Sequence, residues 1–425
     1  MLKIIKADGA AEKKQIEDMR ARAAQTGEGI SAVAAAVLQD VRENGYAAVE
    51  KYSLQFDGAK PREITAEELD AAYESCPKEL IAAMEQAAAD IRDYNEKLLV
   101  RSAEWRNPAG GIVGRVVRGL TRVGIYVPGG TAAYPSSVLM NAVPAKVAGV
   151  EEIIMVTPPT KNLNQAVLAA AKIAGVDRVI GVGGTQAIAA LTYGAGFIPK
   201  VDKICGPGNA YVAAAKRLAY GAIDIDMVAG PSEVLVIADE TSNPKYVAAD
   251  LLSQAEHDVL ASAVLLTTSE ELARAVDGEI VRQTGYLSRK DVIAQSLRDF
   301  GAAIVCPDLQ TCADLANEIA PEHLELMVQD ARSWLPLVRN AGSVFLGYYT
   351  CESIGDYFGG CNHVLPTNGT ARFASALSCD SFIKKSSYLH YSKEALQRDG
   401  GKIMNIAHHE SLDGHANAVK VRMKP

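Results

Sequence analysis

The chain has 425 residues, more than one hydrophobic core usually organises, so at least two packed units are expected. Its net charge of -8 leaves no basic surface suited to nucleic acid. We expect no secretory signal and no membrane helix, because no apolar run has the required form or length. The seven cysteines form no CxxC pair, which argues against a disulfide framework and favours the cytoplasm.

The first hundred residues are predicted to be helical throughout. Apolar residues recur at helical spacing from 31 to 56, where a Phe56-Asp57-Gly58 turn follows, and 79–99 predicts a second amphipathic helix.

From about residue 112, short β-rich runs alternate with helices. The predicted strands are 123–130, 151–159, 178–184, 201–205, two apolar runs within 225–239, and then 261–269, 301–307 and 342–349. This rhythm predicts open, mostly parallel sheets in two α/β units, the second of which could be a duplicate of the first. After about residue 377 the alternation ends in a polar tail that contains histidines.

The positions of the histidines are the most informative chemical clue, since all seven lie in the last two fifths of the chain. Gln254 and His257 are three residues apart on a predicted helix, so both face one side and could bind a metal such as zinc. The alternative is a solvated helix end.

Other polar residues occur in loops or in the tail. Asp356 and His363 lie among glycines that let the backbone approach a ligand closely, although an ordinary glycine-rich turn would look the same. Glu410 and His415 belong to the tail, where histidines are most often surface residues.

Glu322 and His323 follow Pro321 and are predicted to start a helix. A carboxylate beside an imidazole could share general-base work near neutral pH. Neighbours on a helix face different ways, however, so convergence requires a turn.

Three glycine turns, VPGGT, GVGGTQA and CGPGNAY, each follow a strand and open a helix, which suits anion binding. Gly181 and Gly183 match the start of the dinucleotide fingerprint, but Gln186 stands where it requires glycine or alanine. A nucleotide site is therefore plausible, while NAD is not singled out.

Read together, the motifs resemble the histidinol dehydrogenase family. The matching stretches are RVGIYVPGGTAAYPSSVLMNAVPAKVAGV, VIGVGGTQAIAAL, KICGPGNAYVAAAKR, DMVAGPSEVLVIAD, LLSQAEHD, APEHLEL, GDYFGGCNHVLPTNGTARF and LDGHANAVKVR. They cover nearly the whole chain from residue 122 to the end, in the family's order.

The resemblance implies a role for each candidate residue. It assigns one zinc ion per subunit to Gln254, His257, Asp356 and His415, and acid/base catalysis to Glu322 and His323. It assigns NAD contacts to Tyr126, Gln186 and Asn209. It assigns substrate contacts to Ser232, Gln254, His257, His323, Asp356, His363, Glu410 and His415.

The resemblance also implies an α/β fold with two incomplete Rossmann-like domains and a homodimer with shared active sites. The expected division is a helical extension (1–22), a first α/β domain with the zinc and catalytic residues (23–125 plus 234–376), an NAD-binding domain (126–233) and a tail that crosses to the partner subunit (377–425).

The implied reaction is the four-electron, NAD-dependent oxidation of L-histidinol through L-histidinaldehyde to L-histidine, the end of histidine biosynthesis. Three alternatives are open: a zinc hydrolase, a binding protein with two α/β lobes, and a paralogue that oxidises another amino alcohol with zinc and NAD. The intact Glu322-His323 pair argues against the binding protein, because binding needs no general base.

Overall fold

The structure of the protein is a computed structural model that describes residues 1–21, 28–108, 110–129, 134–159 and 163–423. Part of the predicted VPGGT turn, from Gly130 onward, lies outside these residues.

Strands and helices alternate through the middle of the chain, as the pattern predicts. The strands are β1 (Lys3–Lys6), β2 (Arg62–Ile64), β3 (Ala103–Arg106), β4 (Ile112–Gly119), β5 (Arg122–Tyr126), β6 (Glu152–Thr157), β7 (Arg178–Gly181), β8 (Lys203–Cys205), β9 (Asp224–Ile225), β10 (Glu233–Ala238), β11 (Ser262–Thr267), β12 (Ala302–Val305), β13 (His323–Met327), β14 (Ser343–Leu346) and β15 (Ile383–His390). The helices are α1 (Ala11–Ala21), α2 (Glu28–Asn44), α3 (Tyr46–Phe56), α4 (Ala66–Ser75), α5 (Lys78–Leu98), α6 (Pro135–Val147), α7 (Gln165–Ala174), α8 (Gly184–Tyr193), α9 (Ala210–Ala219), α10 (Pro244–Ala255), α11 (Glu270–Thr284), α12 (Lys290–Phe300), α13 (Leu309–Ile319), α14 (Glu352–Tyr357), α15 (Lys393–His409) and α16 (Asp413–Met423).

Two six-stranded sheets form the body of the protein and share one strand order. The first sheet runs β1-β12-β11-β10-β13-β14 and the second runs β2-β7-β6-β5-β8-β9. If β10 is numbered as strand 1 of the first sheet and β5 as strand 1 of the second, each sheet has the strand order 3-2-1-4-5. One further strand, from the N-terminal part of the chain, lies beside strand 3 in each sheet. The order 3-2-1-4-5 is the Rossmann order without its sixth strand, so the predicted α/β fold with incomplete Rossmann-like sheets is confirmed.

The sheets are buried on both faces. Successive side chains of a strand point to opposite faces, so the continuously apolar central strands place apolar side chains on both sides of each sheet. In β6, Ile153 and Met155 enter one core cluster while Ile154 and Val156 enter another. The first sheet does the same, with Val234 and Leu235 in different clusters.

The prediction of an entirely helical first hundred residues is wrong at two strands. β1 pairs with β12 in the first sheet, and β2 pairs antiparallel with β7 in the second. Both strands are very short and lie at a sheet edge, so they show no long periodic pattern. The long helical run is also divided, because Gly45 at φ 57° separates α2 from α3.

The sheets do not coincide with the expected domains, because strands from one expected domain pair in the other sheet. β2 comes before residue 126 and β5 crosses the expected boundary between 125 and 126, yet both belong to the second sheet, whereas β1 pairs in the first. The division of the chain into domains stays a prediction, because hydrogen bonding defines sheets and does not define domain limits.

The tail after residue 377 has its own small structure. β15 pairs antiparallel with β4 in a three-stranded sheet with β3, and α15 packs on α16. Within the residues described, no helix is long and apolar enough to cross a membrane.

Candidate active site

A cavity of about 980 Å³ lies between the two sheets. The second sheet presents the carboxyl ends of β5, β8 and β9 to it, and the first sheet presents the amino ends of β10 and β13. Eight of the predicted site residues line this cavity: Asn209, Ser232, Gln254, His257, Glu322, His323, Asp356 and His363.

Glu322 and His323 lie at the start of a strand, so the predicted helix at this position is wrong. β13 runs between β10 and β14, and its alternating side chains are all buried. Pairing on both sides holds this segment extended, a tertiary effect that local sequence does not show. The two side chains still meet, with His323 Nδ1 3.7 Å from Glu322 Oε2.

One side of the His323 ring is held, and the other faces the cavity. Nδ1 lies 3.0 Å from the Glu233 carbonyl oxygen and 3.1 Å from the Gln254 amide. Because Nδ1–H donates to the carbonyl, the lone pair of the neutral ring lies on Nε2. Nε2 is buried and has no hydrogen-bond partner among the described residues, and Asp356 Oδ1 is 3.7 Å away.

Burial and neighbouring charges shift the pKa values of Glu322 and His323. Burial raises the pKa of Glu322 to about 8, against the opposing effects of His323 and of a hydrogen bond from the Glu233 backbone. Burial lowers the pKa of His323, but the negative charges of Glu352, Glu322 and Asp356 outweigh it and raise the pKa to about 10.

A group that could hold a metal lies beside this pair. One possible ligand atom from each of His257, Glu352 and Asp356 lies within 4.8 Å of the other two. Gln254 is fully buried and its Oε1 has no hydrogen-bond partner in the described structure. Imidazole nitrogen with carboxylate and amide oxygens is a donor set that zinc accepts, so these residues fit a zinc ion.

Two details of this group differ from the prediction. α10 ends at Ala255, so His257 lies in the following turn rather than on the helix face with Gln254. Glu352 was not foreseen, although it precedes Asp356 by four residues and therefore faces the same side of α14. Burial raises the pKa of Glu352 to about 7.

Ser232 and His363 complete the polar lining. Ser232 directly precedes β10. His363 Nδ1 lies 3.2 Å from the Asp356 carbonyl oxygen, and its Nε2 lies 3.4 Å from Ser137 Oγ. Burial lowers the pKa of the His363 imidazole, which favours its neutral form.

The residues expected to contact NAD lie at the carboxyl edge of the second sheet. The Tyr126 hydroxyl accepts a hydrogen bond from Gly184 N (3.1 Å), and Gln186 Nε2 donates to Asp57 Oδ2 (3.0 Å). Asn209 caps α9 through its side-chain oxygen. Of these three predicted residues only Asn209 lines the cavity, while Tyr126 and Gln186 are buried around the Gly184 turn. Asp57 joins this network and was not anticipated.

Glu410 and His415 lie apart from the candidate site. Both are exposed, Glu410 directly after α15 and His415 on α16, and in the described chain no residue after Thr367 lines the cavity. The structure of the single chain therefore does not bring them to the other site residues.

The fold and the site together define an α/β enzyme with a buried acid/base pair beside a group suited to a metal. A profile of the histidinol dehydrogenase family matches residues 20–423. A histidinol dehydrogenase of Clostridium acetobutylicum is 50% identical, covering 100% of this chain and 99% of that protein. One from Caldanaerobacter subterraneus subsp. tengcongensis is 53% identical over 91% of each chain. The crystal structure of histidinol dehydrogenase from Elizabethkingia anophelis superposes with a TM-score of 0.94 at 39% identity, covering 99% of this chain and 98% of that one. The chain belongs to the histidinol dehydrogenase family.

Proposed function

We propose that this protein is an NAD-dependent enzyme of histidine biosynthesis that oxidises L-histidinol through L-histidinaldehyde to L-histidine. The observation that carries the proposal is the free, buried His323 Nε2, which faces a cavity beside Glu322 and the His257–Asp356 group. Two successive oxidations at one carbon require a general base, a carboxylate that activates water between the oxidations, and a polar group that anchors the substrate.

His323 and Glu322 divide the proton transfers. His323 Nε2 takes the proton of the alcohol as hydride leaves for NAD, and the Glu233 carbonyl keeps the ring oriented. Glu322 takes a proton from the water that adds to the aldehyde, while protonated His323 returns its proton to the aldehyde oxygen, so the hydrate forms and His323 is neutral again. His323 then accepts the hydrate's proton in the second oxidation, in which a second NAD would take the hydride.

The remaining polar residues bind and orient the substrate. Ser232, His363 and Glu410 of the partner subunit contact it in this proposal. Zinc would be held by Gln254, His257 and Asp356 with His415 of the partner subunit. When bound, it supplies a Lewis-acid anchor for the amino and imidazole nitrogens of the substrate. NAD would lie against Tyr126, Gln186 and Asn209, where the strand order of the second sheet reverses.

A homodimer with shared sites explains the position of the tail. α15, α16 and the turn between them leave apolar side chains exposed, among them Ile406, Leu412 and Val421. A partner subunit would cover these side chains and receive Glu410 and His415 in its cavity. The seven cysteines are free thiols, which suits the reducing cytoplasm.

The proposal is tested by following NADH formation with L-histidinol, and with L-alaninol as the control substrate. L-Alaninol keeps the amino alcohol and lacks the imidazole. We expect NADH from L-histidinol, little from L-alaninol, and none from either with His323→Ala. A preference for L-alaninol would indicate the paralogue, and an absence of NADH with both substrates would favour the hydrolase.

A further inference from the structure

A buried ion pair lies behind the glycine turn that joins β8 to α9. Lys216 on α9 pairs with Asp226, which follows β9, and their side chains are only 3% and 1% exposed. Removing two charges from water is costly, so a buried pair is stable only where further hydrogen bonds complete it.

Those further hydrogen bonds hold the backbone of Gly206 from both sides. Lys216 Nζ donates to the Gly206 carbonyl oxygen (2.9 Å), and Gly206 N donates to Asp226 Oδ2 (2.8 Å). The other Asp226 oxygen accepts from Met227 N (2.7 Å). One ion pair thus binds both polar groups of the first residue in the 206–209 turn.

The conformation held in this way is one that only glycine readily adopts. Gly206 has φ 108°, and a Cβ at this position would collide with the carbonyl oxygen of Tyr126. The turn therefore passes close to the backbone of Tyr126, and a small displacement of Gly206 would move everything that follows it.

The turn and Asp226 line the cavity, whereas Lys216 lies behind them. Gly206, Pro207, Gly208 and Asn209 line it, and so does Asp226. They stand at the carboxyl ends of β8 and β9 beside β5, the point at which the strand order of this sheet reverses.

We propose that Lys216 and Asp226 are positioning residues that hold the 206–209 turn in the conformation that binds NAD. The inference rests on the proposed function, because it takes NAD as the ligand of this turn. Neither residue reacts with substrate; their effect reaches NAD through Gly206 and Asn209.

The decisive variant replaces the pair by neutral residues, Lys216→Met together with Asp226→Asn. This double variant leaves no unpaired charge in the protein interior. A change in NAD binding can therefore be attributed to the loss of the contacts that hold the turn, and not to an unpaired buried charge. We expect the KM for NAD and the dissociation constant of NAD, measured by calorimetry without substrate, to rise about tenfold or more, the effect of losing hydrogen bonds to charged groups. The KM for L-histidinol at saturating NAD should change less than about twofold.

The matched control is a neighbouring ion pair, Lys203 on β8 with Asp224 on β9, which is changed to Lys203→Met with Asp224→Asn. Lys203 Nζ lies 2.9 Å from Asp224 and donates to the Ser381 carbonyl, and neither side chain lines the cavity. The control should keep the wild-type KM for NAD even if its thermal midpoint falls.

A purely structural pair would give a different result. It predicts a lower thermal midpoint in both double variants with an unchanged KM for NAD, and that outcome overturns the inference. If the 216/226 double variant does not fold, Lys216→Met alone still removes the bond to the Gly206 carbonyl oxygen and should raise the KM for NAD. A wild-type protein that forms no NADH from L-histidinol would contradict the proposed function itself, whereas an active wild type with unaffected variants contradicts only this inference.

Discussion

The position of the His323 ring determines which atom can do chemistry. Its Nδ1–H donates to the Glu233 carbonyl oxygen and lies 3.1 Å from the Gln254 amide nitrogen, which leaves Nε2 toward the cavity. The sequence predicts that Glu322 and His323 act together, because a carboxylate and an imidazole are adjacent. It could not predict the orientation of the ring, since Glu233 and Gln254 are distant in the chain and meet His323 only through sheet pairing and helix packing.

The first prediction separates the roles of the two residues. Glu322→Gln keeps the shape of the side chain and removes the base, so oxidation of L-histidinaldehyde should slow by about 10²–10⁴-fold, and oxidation of the alcohol much less. His323→Ala should impair both half-reactions. Each half-reaction is measured separately from NADH formation, and equal losses in Glu322→Gln would count against this division of labour.

The second prediction concerns pH. Only neutral His323 accepts a proton at Nε2, and the surrounding carboxylates raise its pKa to about 10. The rate of alcohol oxidation should therefore climb between about pH 7 and pH 9, rather than level off near the ordinary histidine value of about 6.5. The pKa of Glu322, raised to about 8, acts in the same direction for the water-adding step. A kcat/KM profile that is already flat at pH 7 would contradict this expectation.

At the scale of elements, the cavity receives opposite ends of the two sheets. The second sheet contributes carboxyl strand ends, the edge at which ligands bind in open α/β folds. The first sheet contributes the amino ends of β10 and β13, which carry Ser232 and His323. The sequence predicts most of the strands from their apolar runs. The relative placement of the sheets depends on packing between distant segments, so local pattern contains no signal for it.

The third prediction belongs to the elements that form the metal group. His257 follows α10 while Glu352 and Asp356 lie on α14, so a metal ion would join the two helices. Chelation should abolish NADH formation, and added zinc should restore it. His257→Ala should lower both the zinc content and the rate, because one imidazole donor is lost.

The control for the metal experiment is Asp258→Asn, which changes the exposed carboxylate next to His257 and should keep the metal. Zinc content is measured by elemental analysis after dialysis. Full activity in protein verified to be free of metal would refute the assignment of a zinc enzyme.

At the scale of the whole molecule, the two sheets repeat one strand order. Alternating strands and helices predict two parallel α/β units, and the common 3-2-1-4-5 order agrees with a duplication. The edge strands β1 and β2 escape prediction because each has only three or four residues and gains stability from its neighbour in the sheet. The outcome for the candidate site is similar: most of the predicted residues converge on the cavity within the single chain, but Glu410 and His415 do not.

The fourth prediction tests whether the tail completes the site of a partner. His323→Ala and His415→Ala chains, each inactive alone, are mixed, mildly unfolded and refolded together. Shared sites predict that mixed dimers regain one intact site, giving up to about a quarter of wild-type activity if chains pair at random. Each variant refolded alone is the control. Heterodimers that form and stay inactive would eliminate the shared-site arrangement.

The stoichiometry of complete conversion shows whether the protein carries out both oxidations of L-histidinol. A limiting amount of L-histidinol is incubated with the zinc-loaded protein and excess NAD, and NADH and L-histidine are then quantified. We expect two NADH and one L-histidine for each L-histidinol consumed, without accumulation of the aldehyde. One NADH per L-histidinol with the aldehyde as the final product, or no NADH at all, would contradict this expectation.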